Sequence, residues 1–425
     1  MEKIILLKNF RLVDEEIDMR GSLVIINGTI AALIPENAKQ DTPFPLFPKS
    51  ALVIDGDHLP GGALIMPAFV DLHAHFRDPG FPDKEVLESA SMAAAAGGYG
   101  TVVCMANTKP VIDTIEKAGA LKKRSDALGL VDLYPVMSLT KNMEGKELSG
   151  IADLREADFP SPFVRMLSED GKDVADPELF LKAMNEARRL GIPISCHCDF
   201  EGENNATSRA IELGRKAGCH IHIAHVSTKE AVQAIREAKK NPQPPFRISC
   251  EAMPHHIALT EEDARALGDE SWGRVNPPLR TEADRQAIIE GLLDGTIDAI
   301  ATDHAPHSDT DKEKGAPGFT GLETAFSVCY AKLCKTREIG LQRLSSLMSA
   351  KPARLIGFGN EGPEGRGRLA QGFRGDLVLI DPESRWKADP DRAKSRGKNS
   401  PFNGCILPGE ILMTLHKGRI VFSSL

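Results

Sequence analysis

Between residues 68 and 302, eight short apolar runs with strand character alternate with stretches of helical periodicity. The runs fall at 68–73, 100–105, 131–137, 163–168, 193–198, 220–225, 246–253 and 297–302. Strands separated by helices cannot pair as hairpins; they run parallel, each returning over the sheet through its helix. Eight such units within about 290 residues suit a closed (β/α)8 TIM-like barrel, although a doubly wound parallel sheet satisfies the same alternation. Local signals support the helices. Asp176 is placed to cap one, with Pro177 at its first position and Gly191 at its end, and Ser227-x-x-Glu230 reads as a capping box ahead of Val232 and Ile235. Further helical patterns cover 85–96 and 323–333.

The segments outside this series are β-rich. Strands are expected at 3–7, 22–26, 29–33 and 52–55, with Asn27-Gly28 as a hairpin turn, and again at 377–380 and 420–422 after a Gly-rich stretch at 359–375. Because domain termini often lie together, residues 1–66 and 358–425 are expected to form one small β-sandwich beside a barrel of residues 67–357, an α/β chain overall. A net charge of −8 leaves no basic surface to neutralise phosphates, which argues against nucleic acid as a partner. No run approaches the roughly 20 apolar residues of a membrane span, and the apolar start at Ile4 to Leu7 is too short for a signal peptide. Eight cysteines without regular spacing fit a reducing compartment. A soluble cytoplasmic enzyme or binding protein is expected, and an anionic substrate would need a local cation.

The strongest chemical signal is Asp71-Leu72-His73-Ala74-His75-Phe76-Arg77-Asp78-Pro79-Gly80 at the end of the first barrel run. Side chains alternate along a strand, so His73 and His75 share a face and can hold one ion. Asp170, His197, His225 and Asp303 stand at or just past the ends of later runs, and in a parallel barrel these ends converge on one mouth. Four histidines and two carboxylates can hold two divalent ions, one carboxylate bridging. The same parity rule sends Cys196 and Cys198 toward the helices. It gives His220 and His222 the opposite parity to His225, so both are read as structural or solvent-facing. For His255-His256 a supporting role and none stay equally open, and His58 and His416 are taken as structural.

These motifs resemble the dihydroorotases of the amidohydrolase superfamily, in their bacterial type I branch. His73 to Gly80 is similar to the family's HxHxRxPG signature and Met105-Ala106-Asn107-Thr108-Lys109-Pro110 to MPNTxP, with Ala106 in place of the usual proline. Ala224 to Thr228 is similar to HVST, Asn276 to Arg280 to NPPLR, and Ala301 to His307 to ATDHAPH. The five blocks in order span about residues 67 to 325 and are highly specific together. Ser168-Glu169-Asp170-Gly171 resembles the Asp-Asp-Gly block of that branch, with glutamate at its first acidic position.

The resemblance implies His73, His75 and Asp303 on one metal, His197 and His225 on a second, and Asp170 between them, with zinc expected from ligand type and family. Lys172, the nearby lysine, lies past the turn glycine and is a poor candidate for a carboxylated bridge. The implied activity is reversible hydrolysis of dihydroorotate to N-carbamoyl-L-aspartate, a step of de novo pyrimidine (UMP) synthesis, through a hydroxide shared by the metals with Asp303 as proton shuttle. Arg77, Asn107 and His307 would take the substrate carboxylate, Asn276 the ring, and Pro317 and Gly318 would lie near substrate in a polar segment, 308–321, with the composition of a lid. A homodimer and an association with aspartate transcarbamoylase stay open. Dihydropyrimidinase or hydantoinase, and allantoinase, are the nearest rival activities, and a non-catalytic dihydroorotase-like scaffold is the rival of another class; the intact ligand set argues against the scaffold.

Overall fold

The computed structural model of the chain describes residues 3–37, 51–154, 163–336, 338–360, 362 and 364–425. Residues 1, 2 and 38–50 of the expected amino-terminal β segment, and 361 and 363 of the Gly-rich stretch, lie outside the described residues.

Five strands precede the barrel: β1 (Ile4–Val13), β2 (Asp18–Ile26), β3 (Thr29–Pro35), β4 (Leu52–Asp55) and β5 (Leu64–Pro67). The turn between β2 and β3 places Asn27 at φ 51° and Gly28 at φ 87°, the left-handed pair that matches hairpin twist. Eight parallel strands follow: β6 (Phe69–Ala74), β7 (Tyr99–Cys104), β8 (Asp132–Pro135), β9 (Leu167–Ser168), β10 (Ile194–Cys196), β11 (His220–Ile223), β12 (Arg247–Ala252) and β13 (Ala299–Ile300). They pair in chain order as β6 to β8 and β9 to β13, and parallel bridges Met137–Leu167 and Ala74–His304 join the two arcs into a closed barrel. Closure removes the doubly wound alternative.

Three strands, β14 (Leu377–Lys387), β15 (Ile406–His416) and β16 (Arg419–Ser423), complete the chain. They run with the first five in one sheet, ordered β16-β15-β14-β5-β1-β2-β3, with β4 beside β1, so both ends of the chain share one hydrogen-bond ladder. Alternation along β14 divides its side chains. Leu377 and Leu379 join a core with Ile5, Leu7, Leu23 and Ile25, while Val378 and Ile380 pack into the barrel's core.

Helix ends follow the sequence signals with one shift. Asp176 caps Pro177–Leu190 by accepting from Glu178 N at 2.9 Å, and Gly191 ends it in the left-handed conformation. The helix Lys229–Lys240 is instead capped by Thr228, which accepts from Ala231 N at 3.2 Å. Ser227 is unavailable because its backbone N–H and hydroxyl both go to the buried Glu203 carboxylate. The pattern at 323–333 becomes the helical turn Ala325–Cys329 continued by a wider turn at Tyr330–Cys334.

Candidate metal centre

At the mouth, β6 is tied to the strand that closes the ring. Asp71 accepts from Thr302 N at 2.9 Å, Thr302 Oγ1 at 2.5 Å and His73 N at 3.2 Å. Burial pushes the Asp71 carboxyl up to about 7 even so. This clamp sets His73 and His75 opposite Asp303, whose backbone turns left-handed at φ 46° just past β13. His75 Nε2 lies 3.1 Å from Asp303 Oδ1 and 3.4 Å from Asp170 Oδ2, and His73 Nε2 lies 3.1 Å from Asp170 Oδ1 and 3.7 Å from Asp303 Oδ1. Across the mouth, His197 Nδ1 is 2.9 Å from His225 Nε2, with Asp170 Oδ1 at 3.5 and 3.8 Å from these two nitrogens. All six side chains are buried.

The donors fit divalent metal. Two overlapping groups, His73-His75-Asp303 and His73-Asp170-His225, each bring their ligand atoms within 4.8 Å of one another. His73 Nε2 and Asp170 Oδ1 are buried without a hydrogen-bond partner although they face each other at 3.1 Å. Orphaned buried lone pairs of this kind are costly unless a cation lies between them. Asp170 and Asp303 ionise well below the usual carboxylate range: burial opposes this, but contacts with His73 and His197, and with His75 and His73, outweigh it. His197 is pushed up to about 9, its burial outweighed by Asp170 and Asp199. Among the described residues no lysine or arginine lies within ion-pairing distance of Asp170 or Asp303.

Beside this cluster, Asn107 accepts at Oδ1 against His75 Nδ1 (2.9 Å) and donates to Asp170 Oδ2 (3.3 Å). Asn276 Nδ2 stands 3.4 Å from His197 Nε2 and from Asp199 Oδ2. Arg77, at φ 56°, donates from Nε to Pro306 O at 3.3 Å, and its Nη2 lies 3.3 Å from His307 Nε2. His307 Nε2 is 2.9 Å from Pro317 O, to which it donates, and Gly318 lies close enough that a Cβ there would come within 3.3 Å of the same nitrogen. Arg77, His307, Pro317 and Gly318 therefore meet, as do Asn107 and Asn276 with the histidines.

Two neighbours leave the cluster. Glu169 caps Leu139 N and Thr140 N at 2.9 and 3.0 Å and accepts the Thr140 hydroxyl. Lys172 Nζ donates to Met143 O at 2.8 Å, turned away from the histidines. Asp78 pairs with Arg124 at 2.6 and 2.9 Å rather than with Arg77. The segment 308–321 is tied down in place of hanging as an open loop. Lys312, fully buried, donates to Arg274 O, Ala316 O and Gly318 O at 2.8, 2.9 and 3.0 Å.

Several partners escaped the sequence reading. Lys84 Nζ lies 3.2 Å from His307 Nδ1; burial, then Arg77 and Lys84, push that imidazole down to about 3, so His307 is neutral. Glu251, fully buried on β12, accepts from His73 Nδ1 at 2.9 Å and has His222 Nε2 at 3.1 Å. His222 and His220 both face the barrel interior, where each meets Ser249 Oγ, at 2.8 and 2.9 Å. This corrects the parity argument: β11 ends at Ile223, and His225 at φ 33° breaks the alternation, so residues of opposite parity reach the same interior. His256 Nε2 donates to Pro277 O at 3.0 Å and so supports the Asn276 turn, while His255 packs edge-on against Phe319. The Cys196 and Cys198 side chains lie in the apolar core, as parity requires.

Residues 64–421 match the profile described as "Amidohydrolase family". A dihydroorotase of Clostridium botulinum (strain Eklund 17B / Type B) is 38% identical over 427 residues, covering 98% of this chain and 99% of its own. A dihydroorotase of Geobacillus kaustophilus is 37% identical over 433 residues and 95% of each chain. Among solved structures, an L-hydantoinase (dihydropyrimidinase) from Arthrobacter aurescens aligns with a TM-score of 0.85 over 100% of this chain and 96% of its own, at 24% identity. At that identity the likeness speaks for the fold.

Proposed function

The chain belongs to the amidohydrolase family, and from that premise we propose that it catalyses the reversible hydrolysis of dihydroorotate to N-carbamoyl-L-aspartate, as a metal-dependent cyclic amidohydrolase of the dihydroorotase kind. Divalent metal goes with the family, and the candidate ligand groups at the mouth accord with it. In our reading His73, His75 and Asp303 hold one ion, His197 and His225 a second, and Asp170 is shared; a nitrogen and carboxylate donor set favours zinc. Bound there, the ions supply an activated water and polarise the ring carbonyl.

The chain's own residues do the rest. Asp303, ionised at neutral pH, takes a proton from the attacking water and passes it to the ring nitrogen as the amide bond opens; cyclisation runs the same transfer backwards. Arg77 receives the substrate carboxylate, with Asn107 and the neutral His307 beside it, and Asn276 meets the ring. Pro317 holds His307 by its carbonyl, and Gly318 leaves room that a side chain would fill.

The observation that carries this reading is Arg77, a guanidinium at the rim of the metal cluster with no carboxylate within ion-pairing distance among the described residues. An unmatched fork of donors in an acidic protein suits a planar anionic group. The test is metal analysis together with turnover of dihydroorotate, dihydrouracil and hydantoin by one preparation, followed by ultraviolet absorbance. Preference for dihydroorotate by about 10² or more is expected. Preference for a neutral ring would replace the reading with that of a hydantoinase.

A further inference from the structure

Beneath the mouth the barrel encloses a polar chain that the reaction above leaves unused. It starts at His73, whose Nδ1 lies 2.9 Å from Glu251 Oε1, and continues through Glu251 Oε2 to His222 Nε2 at 3.1 Å. It then passes from His222 Nδ1 to Ser249 Oγ at 2.8 Å and on to His220 Nε2 at 2.9 Å. His73, Glu251, His222 and Ser249 are all buried, and His220 is partly exposed. Among the described residues Glu251 has no lysine or arginine within ion-pairing distance; its charge faces two imidazoles alone.

The chemistry of these atoms gives the chain a direction. A carboxylate only accepts, so His73 carries a proton on Nδ1, and Nε2 is the nitrogen it turns toward Asp170 and Asp303. His222 Nε2 lies 3.1 Å from Glu251 Oε2 without a hydrogen bond between them, a contact that sets a second imidazole against the far oxygen of the carboxylate. Ser249 Oγ joins the two rings, 2.8 Å from His222 Nδ1 and 2.9 Å from His220 Nε2.

We propose that Glu251 is a positioning residue for His73: held in turn by His222, Ser249 and His220, it fixes the tautomer and ring angle of His73 and so raises the metal affinity of the His73 site. The inference rests on the metal-centre reading above and adds a residue outside the ligand set. A carboxylate behind a ligating imidazole raises its basicity and holds it in line, and loss of such a partner costs about 10- to 100-fold in metal affinity.

The test uses the zinc-loaded full chain and its Glu251→Gln and Ser249→Ala variants. Each is dialysed against graded chelator, retained zinc is measured by elemental analysis, and the metal-free forms are melted. Glu251→Gln is expected to release zinc at roughly 10- to 100-fold lower chelator strength. Its metal-free form should melt close to wild type, because glutamine keeps an oxygen that can accept from His73 Nδ1. Ser249→Ala keeps Glu251 and should show a smaller loss of the same sign. Equal zinc retention in wild type and Glu251→Gln, or a lower metal-free melting temperature with retention unchanged, overturns the proposal and leaves the metal centre standing. If Glu251→Gln does not fold, unchanged retention in Ser249→Ala overturns it. A wild-type chain that holds no zinc overturns both.

Discussion

Replacing Arg77 by methionine separates substrate recognition from metal chemistry. Among the described residues the guanidinium has one clear protein acceptor, Pro306 O at 3.3 Å, because the nearby His307 Nε2 already donates to Pro317 O. Most of its N–H donors are therefore open to a ligand. Methionine keeps the length of the stem and, being unbranched at Cβ, meets the left-handed backbone at φ 56° no worse than arginine does. The cost to the fold is one long hydrogen bond, about 0.5–1 kcal/mol. The cost to dihydroorotate is larger, since its carboxylate would enter a buried site with no charged partner. About 2–4 kcal/mol of transition-state stabilisation, or roughly 30- to 1000-fold in kcat/KM, is expected. Dihydrouracil lacks that group, so its slow hydrolysis should change by less than about 2-fold, and bound metal should be unchanged. Steady-state kinetics of both proteins on both substrates decide the matter. Equal losses on the two would mean that Arg77 supports the fold or the metals, and the substrate assignment would then rest on relatedness alone.

Asp303→Asn should lower kcat by about 10² or more with a smaller change in KM, measured on protein whose metal content has been checked because Asp303 is also a proposed ligand; near wild-type turnover would remove it from the proton-transfer role. Asp170→Ala should lose metal and nearly all activity, and wild-type activity should not respond to added bicarbonate, since Lys172 is engaged by Met143 O and turned away from the histidines. A bicarbonate-dependent gain would point to a carboxylated lysine. Lys312→Met should take three hydrogen bonds from the segment, leaving Ala316 O without its donor while Arg274 O keeps Gly318 N and Gly318 O keeps Asn399 Nδ2; stability in chemical denaturation should fall by about 1–3 kcal/mol and KM for dihydroorotate should rise, because Gly318 O is one of the three. An unchanged denaturation midpoint would show that the segment 308–321 is held by other contacts.

The barrel was legible because each of its eight strands is a short apolar run between helices, a pattern that survives without tertiary information. The strand ends were legible for a second reason: metal-ligand residue types at those ends are unusual enough to stand out, and His73, His75, Asp170, His197, His225 and Asp303 do converge. Glu251, Lys84 and Lys312 were not legible. Glu251 and Lys84 meet partners far away in sequence, Lys312 bonds mostly to carbonyls a few residues on, and in each case a lone Glu or Lys carries no local mark of burial. Glu251 could have been suspected from parity on β12, where it shares a face with Ser249 while Cys250 and Ala252 pack outward in the core.

The alternation rule failed for a reason that bears on the site itself. Alternation assigns faces only while backbone dihedrals stay extended. His225 and Asp303 follow the last residues of β11 and β13 at φ 33° and 46°, and Arg77 follows β6 at φ 56°. Left-handed backbone costs a residue with a side chain roughly 1 kcal/mol or more, and three such residues at one barrel mouth are held there by surrounding contacts. The turns let His222 on β11 and His225 just past its end, of opposite parity in sequence, both reach the barrel interior, one toward Glu251 and the other toward Asp170. A regular strand offers only every second side chain to the interior, too few to build both a cluster of ligands and the carboxylate behind it from so short a segment. The departure from regular backbone is thus the means by which the mouth gathers its polar groups, and alternation identifies candidates inside a strand but not at its end.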